Sequence, residues 1–208
     1  MPAQPDRQAA LEQYRRRSGV YDLELALFEP IRREAIRLLA LQPGETVIDF
    51  GCGTGLSLPH LRAAVGARGH VVGIEQSPEM MERARQRVAS RRWRHVELIC
   101  APVEKAHWHG HADAALFHFT HDLLQRPEAV ANALGMLRQG ARVVACGLRW
   151  APRWALAVNA GVYLAARRSI TTLAGLERPW RELERQLGPM HGTSRLFSAV
   201  YIAEGRRT

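Results

Sequence analysis

The chain has 208 residues, of which 47% are hydrophobic and 24% charged, enough for one α/β domain with its own core and unlike the composition of a disordered or fibrous chain. The formal charge of +9 raises an anionic partner, but the basic residues are nearly all arginine, with Lys105 the single lysine, and they are spread along the chain; this demotes nucleic acid and leaves peripheral contact with a membrane surface open. The longest mostly apolar run, Ala155 to Ala166, is too short to span a bilayer, and the first residues lack the apolar centre of a signal peptide, so the expected location is cytoplasmic.

In chain order, apolar spacing predicts a helix from Pro5 through Arg17 and a second from Leu25 to Ala40, followed by a turn at Pro43-Gly44. Thr46–Phe50 reads as a β-branched strand entering a glycine-rich turn, with a helix from Leu56 to Val65 after it. His70–Glu75 is the next strand. Pro78–Ser90 is the next helix, with Ser77 as N-cap and Pro78 at the first helical position. Strands at Val96–Cys100 and Asp113–Phe119 follow, then a helix from Arg126 to Leu137 stopped at Gln139-Gly140, and a strand at Arg142–Leu148. Residues 149–178 break the rhythm with a Pro- and Trp-rich start and an apolar helical stretch. Pro179–Leu187 reads as a helix and Ser194–Glu204 as a closing strand or hairpin. This alternation predicts an α/β, doubly wound, mostly parallel sheet with a C-terminal antiparallel hairpin and helices on both faces.

Cys52, Cys100 and Cys146 form no CxxC pair and read as small core residues in a reducing compartment. His107, His109 and His111 fall in a loop with no cysteine or acid pair at zinc spacing, so no metal is expected.

The chemically informative segment is Val47-Ile48-Asp49-Phe50-Gly51-Cys52-Gly53-Thr54-Gly55. A buried strand delivers the chain to a turn whose glycines permit unusual dihedrals and close approach to a ligand, with Asp49 near the strand's carboxyl end. The dinucleotide fingerprint G-x-G-x-x-G fails here, because Leu56 stands where its third glycine belongs. The next strand, Val71-Val72-Gly73-Ile74-Glu75, ends in an acid 20 residues after Gly55, and a carboxylate there can accept hydrogen bonds from both hydroxyls of a ribose.

Asp49, Gly51, Gly53 and Gly55 supply all four key residues of D-x-G-x-G-x-G, and the segment resembles the first motif of the class I, seven-stranded, Rossmann-like S-adenosylmethionine-dependent methyltransferases. Glu75-Gln76-Ser77-Pro78-Glu79-Met80 and the turn Leu137-Arg138-Gln139-Gly140-Ala141 are similar to later family motifs, although Gln139 and Ala141 depart from the usual pattern. The resemblance implies a seven-stranded sheet and S-adenosyl-L-methionine as cofactor, held by Asp49, Gly51, Cys52, Gly53, Gly55, Glu75, Gln76 and Met80. It implies backbone contacts to adenine from Ala101, Pro102 and Val103, the family's frequent acid near Ala101 being absent. Phe117 is expected beside the methionine half, and Tyr14 and Tyr21 as caps from an N-terminal lid. The implied organisation is one domain: 1–41 lid, 42–148 cofactor core, 149–178 substrate-lid insertion, 179–208 final helix and hairpin.

A sulfonium methyl group is already activated, so position and a dry site matter most, and a base is needed only where the nucleophile must lose a proton. His118 and His121 are the candidate bases, with Asp122 as orienter. The run after the fourth strand is not the Asp/Asn-Pro-Pro-aromatic run of nucleobase amino-methylating enzymes, and no cysteine sits in the Pro-Cys context of cytosine-carbon methylation. The expected acceptor is a small molecule, apolar or aromatic, methylated on O or N. Trp150 to Arg168, flanked by arginines, could be a lid, an interfacial helix for a lipid substrate or a core helix. Tyr21-Asp22 with this motif set is also similar to bacterial phospholipid and betaine-lipid N-methyltransferases. Cofactor binding without methyl transfer and a homodimer both stay open.

Overall fold

The structure is a computed structural model, described for residues 28–208; the expected helix at Pro5–Arg17, Tyr14 and Tyr21 lie outside the described residues. The described helices are α1 (Glu29–Leu38), α2 (Leu58–Val65), α3 (Pro78–Ser90), α4 (His121–Leu124), α5 (Pro127–Gly135), α6 (Leu156–Ser169) and α7 (Arg181–Leu187). The strands are β1 (Thr46–Phe50), β2 (His70–Glu75), β3 (Val96–Cys100), β4 (Ala112–His118), β5 (Leu137–Leu148), β6 (His191–Arg195) and β7 (Val200–Arg206). They form one seven-stranded sheet in the order β3-β2-β1-β4-β5-β7-β6. β1 to β5 pair in parallel, while β7 runs antiparallel to both β5 and β6. The predicted mostly parallel sheet with a closing antiparallel hairpin is therefore the observed one.

Strand alternation sorts the core into two layers. Ile48, Phe50, Ala115 and Phe117 face the layer that contains α5 and α7 residues. Val47, Ala114 and Leu116 face the layer that contains α1, α2 and α6 residues. By the same period of two, Asp49 and His118 project to the α1 side. Strand order reverses between β1 and β4, which opens a crevice at their carboxyl ends, where open α/β sheets take their ligands.

Several boundaries differ from the sequence reading. α1 stops at Leu38 because Ala40 turns into the left-handed region at φ 45°. α2 begins at Leu58 rather than Leu56, and α7 at Arg181 rather than Pro179. α5 ends at Gly135, and Leu137 already belongs to β5, which pairs with Ala112 of β4 before a register shift restores regular pairing at Ala114–Arg142. The apolar pair Met136-Leu137 fits either a helix end or a strand start, and pairing with β4 decides it. Ser77 caps α3 as expected, accepting from the Met80 N–H at 3.3 Å.

Cys52 and Cys146 are buried as expected, but Cys100 is exposed at the end of β3, the edge strand of the sheet among the described residues. His107, His109 and His111 precede the amino end of β4, away from the crevice, and Trp108 donates from Nε1 to Glu97 at 3.1 Å. Among the described residues no group of three His, Cys, Asp or Glu side chains could hold a metal ion, and no helix is long and apolar enough to cross a membrane.

Candidate active site

The glycine turn leaves β1 through three left-handed residues, Gly51 (φ 72°), Gly53 (φ 56°) and Gly55 (φ 79°), a path that side-chain-bearing residues resist. At Gly51 a Cβ would also stand 2.5 Å from Cγ2 of Thr120, so the turn and the end of β4 meet only because no side chain intervenes. The Gly51 and Cys52 N–H groups donate to the Ile74 carbonyl at 2.8 and 3.0 Å, tying the turn to β2. The Cys52 side chain packs with Met81 and Ala84 of α3, so at this residue only the backbone serves the turn.

Glu75 closes the end of β2 and is 7% exposed. One carboxylate oxygen accepts the Gly53 N–H at 3.0 Å and the other the Ser77 N–H at 2.8 Å. Each oxygen keeps acceptor capacity for a hydroxyl. Burial pushes the carboxyl pKa up, opposed by the Ser77, Gly53 and Gln76 backbone N–H groups. An acid anchored at both oxygens is an oriented acceptor pair, which suits a vicinal diol.

Beside it opens a cleft that is partly open to solvent. Its lining includes Gly51, Gly53, Glu75, Gln76 and Met80, together with Val103, Phe119, Thr120 and His121. Two expected adenine contacts need correction. Ala101 and Pro102 do not line the cleft: the Ala101 N–H is spent on the Glu75 carbonyl at 3.0 Å, and proline has no N–H to offer. Val103 alone of the three reaches the cleft. Phe117 also needs correction. It does not line the cleft but is fully buried in the core beneath it, stacked on Phe50 with centroids 5.0 Å apart. Phe119 occupies the cleft wall instead, at φ 58°, with the Phe28 ring 4.7 Å away.

Behind the glycine turn lies a second, narrow compartment lined by Arg32, Asp49, Gly53, Ser57 and His118. Its polar groups are buried and under-satisfied. Neither Asp49 oxygen, nor Arg32 Nε, nor His118 Nε2 has a hydrogen-bond partner among the described residues. Arg32 is 2% exposed and reaches Glu29 through Nη1. Burial drives the Asp49 pKa up to about 7, the Glu75 charge adds to this, and Arg32 and Ser57 oppose it. Burial and the Arg32 charge together hold His118 down to about 3. Buried polar atoms without partners are costly, and here the Asp49 oxygens can still accept and Arg32 Nε can still donate, although the Arg32 charge itself is paired with Glu29. Arg32 escaped the sequence reading, although Ala35, Ile36 and Leu39 place it on the apolar stripe of α1.

The histidines expected as bases separate. His118 lines the second compartment rather than the cleft, and burial with the Arg32 charge pushes its pKa down, which disfavours it as a proton acceptor. His121 lines the cleft, with Nε2 2.9 Å from the Ala174 carbonyl. A carbonyl only accepts, so Nε2 carries the proton and Nδ1 keeps its lone pair, with no partner among the described residues. Burial lowers the His121 pKa, and Asp122 and the carbonyls of Ala174 and Thr172 work against the shift. The Asp122 carboxylate accepts from the Thr171 N–H at 3.0 Å and the Thr171 hydroxyl at 2.8 Å, so it anchors the segment after α6. It acts on His121 through its charge, and the orienting hydrogen bond comes from Ala174 instead. Glu104 and Arg126, also unforeseen, pair at 3.2 Å across the outer cleft.

Residues 47–140 match the model of a family described as a methyltransferase domain. The chain is 38% identical over 113 residues to an uncharacterized 37.1 kDa protein in a Streptomyces fradiae transposon, covering 51% of this chain and 31% of that protein. It is 35% identical over 88 residues to the aklanonic acid methyltransferase DauC of Streptomyces sp. (strain C5), covering 42% of this chain and 40% of that protein. The chain thus spans less than half the length of these curated relatives. The N-methyltransferase NodS from Bradyrhizobium japonicum WM9, solved in complex with S-adenosyl-L-homocysteine, shares the fold at 18% identity and a TM-score of 0.63, over 86% of this chain and 87% of that one. The glycine turn of the D-x-G-x-G-x-G form and the acid closing β2 both lie within residues 47–140, the stretch that matches the methyltransferase-domain model, and the seven-stranded order is consistent with the expected class I fold.

Proposed function

We propose that this chain binds S-adenosyl-L-methionine and transfers its methyl group to a small apolar or aromatic molecule through O or N. The observation that carries the binding is the pairing of two compartments on one glycine turn. Glu75, fixed by Gly53 and Ser77, suits the ribose diol, and Val103 and Met80 offer apolar walls to the base. The buried Arg32 and Asp49 match a carboxylate and an ammonium, the two charges of an amino-acid end. When bound, the cofactor supplies a methyl group activated on a sulfonium, so the chain's own contribution is position, dryness and, for a protic acceptor, removal of a proton. Residues 28–208 act here as one unit, with the segment after β5 on the substrate side through Ser169 and Ile170.

Titration calorimetry tests the binding. S-adenosyl-L-homocysteine should bind wild type, and Glu75→Ala should weaken it by about 2 kcal/mol, the loss of two hydrogen bonds to a charged acceptor. No heat with wild type at millimolar ligand would sink the reading, and unchanged affinity in the variant would remove Glu75 from the ribose.

We assign proton removal to Nδ1 of His121, where the acceptor is a hydroxyl. With its pKa lowered, the ring is already neutral at pH 7. Turnover should therefore rise with pH through a value below 6.5, the ordinary histidine value, and then level off. His121→Phe should lower kcat by about tenfold, a modest loss because the methyl group needs little help, while the homocysteine product binds as before. An unaltered pH profile in the variant would show that no base acts at this position. Binding with no transfer to any acceptor would favour a cofactor-binding protein over an enzyme.

A further inference from the structure

α6 is apolar on both sides. Val162 and Ala166 are buried in the sheet-side layer, yet Leu156, Leu164 and Tyr163 on the other side are 76%, 59% and 40% exposed. Trp154, just before the helix, is 83% exposed. Helical spacing gathers Leu156, Ala160, Tyr163 and Leu164 on one outward face, with Arg167 and Arg168 one turn further on. A helix without a polar face requires an apolar neighbour on each side.

A second apolar projection leaves the same end of the sheet. In the β6–β7 turn Phe197 is 89% exposed and Leu196 50%. Leu196, Phe197 and Ser198 stand at φ 47°, 54° and 70°, three consecutive non-glycine residues in the left-handed region, a strained path of the kind retained where it serves a function. The Arg149 N–H donates to the Ala199 carbonyl at 2.9 Å, and its guanidinium to the Ser194 hydroxyl at 3.1 Å. The chain leaving β5 toward Trp154 therefore starts alongside this turn, at the carboxyl end of β5, the end of the sheet that holds the cleft.

Charge selects the partner. From Arg149 to Leu176 the sequence holds four arginines and no Asp or Glu. Aromatic and aliphatic tips among arginines match a surface that is apolar beneath and anionic at its rim. A nucleic acid would satisfy the arginines but leave Leu156, Leu164 and Phe197 in water.

We propose that the outward face of α6, with Trp154 and the β6–β7 turn, docks on an anionic lipid bilayer. Trp154, Leu164 and Phe197 enter the acyl boundary and Arg153, Arg167 and Arg168 lie at phosphate level. Because α6 ends at Ser169 beside Ile170, both in the cleft wall, docking sets the cleft entrance near the bilayer, where an apolar acceptor partitions. That last step rests on the methyltransferase reading; the docking does not.

The test is flotation of the full chain with vesicles of phosphatidylcholine alone or mixed with phosphatidylglycerol, without cofactor. Binding should be about tenfold stronger to the mixed vesicles and should weaken in high salt. The double variant Trp154→Ser/Phe197→Ser and the double variant Arg153→Gln/Arg168→Gln should each lose about tenfold, with S-adenosyl-L-homocysteine affinity unchanged. Equal or absent binding to both vesicles, or full binding by either variant, overturns the proposal. So does a wild-type dimer in sedimentation that Trp154→Ser/Phe197→Ser converts to monomer, which would assign the face to a second copy. Intact homocysteine binding without flotation leaves the methyl-transfer reading standing, and flotation without homocysteine binding leaves the docking standing.

Discussion

Asp49→Asn is expected to stabilise the ligand-free protein at pH 8 by about 4 kcal/mol and to leave it nearly unchanged at pH 4. In the fold the Asp49 carboxyl is raised from 3.8 to about 7, chiefly by burial, with the Glu75 charge adding to it. The sign follows from a raised acid: the group binds its proton more tightly in the fold than in the unfolded chain. Its contribution to stability is therefore complete below about pH 4 and is lost as pH rises to about 7. Asparagine mimics the protonated acid in shape and neutrality at every pH, so it removes the cost of a buried anion with no partner. The same substitution should weaken S-adenosyl-L-homocysteine, because an amide cannot neutralise an ammonium. Urea unfolding at pH 4 and pH 8 without ligand, together with calorimetry, reads both effects. Destabilisation at pH 8 would mean that the charged carboxylate holds the ligand-free fold together, contrary to its environment.

What the sequence disclosed depended on how locally each feature is written. Asp49, the three glycines and Glu75 lie on two successive strand ends, where spacing alone fixes their relation, and the structure joins them through Glu75 and the Gly53 N–H. Arg32 lies in the preceding helix, and an arginine between Ile31 and Arg33 is easily taken for part of the solvent face. Its burial was written in the spacing to Ala35 and Ile36, whereas the carboxylate it faces comes from β1 and could only be found in three dimensions. Phe117 was misplaced for a simpler reason. Strand alternation commits it to the face of Phe50, and the cleft is served by Phe119, which lies past the end of β4 and is turned by its left-handed backbone. The Leu137 end of β5 and the two apolar sides of α6 share one cause: an apolar run specifies burial but not the element that provides it.

Asp49 and Arg32 are opposed charges within one buried compartment, and the stability cost of each is the counterpart of a binding role. Each would keep its charge most cheaply when a ligand of opposite sign arrives. A ligand of one sign would leave either the Asp49 oxygens or Arg32 Nε without a partner, and a zwitterion satisfies both. This complementarity separates the compartment from a general anion site, and it makes the effect of removing the cation specific to one ligand group.

Arg32→Met should weaken S-adenosyl-L-homocysteine by about 3 kcal/mol, more than a hundredfold, and should leave methylthioadenosine nearly unaffected. Methionine keeps the length and apolar packing of the arginine stem, so α1 retains its seat beside Val47 and Leu61. It removes the buried guanidinium, whose Nε has no partner among the described residues. Methylthioadenosine has the adenosine that Glu75 would hold but neither the carboxylate nor the ammonium. Wild type should therefore prefer the homocysteine ligand strongly, and the variant should lose most of that preference. Decarboxylated S-adenosylmethionine, which retains the ammonium, should bind the variant at least as well as wild type, since the arginine no longer repels it. Parallel titrations of the three ligands settle the assignment. If Arg32→Met weakens all three by the same factor, the substitution has disturbed the glycine turn and the guanidinium has no ligand of its own. If only the carboxylate-bearing ligand suffers, the buried arginine of α1 is the group that recognises the amino-acid end.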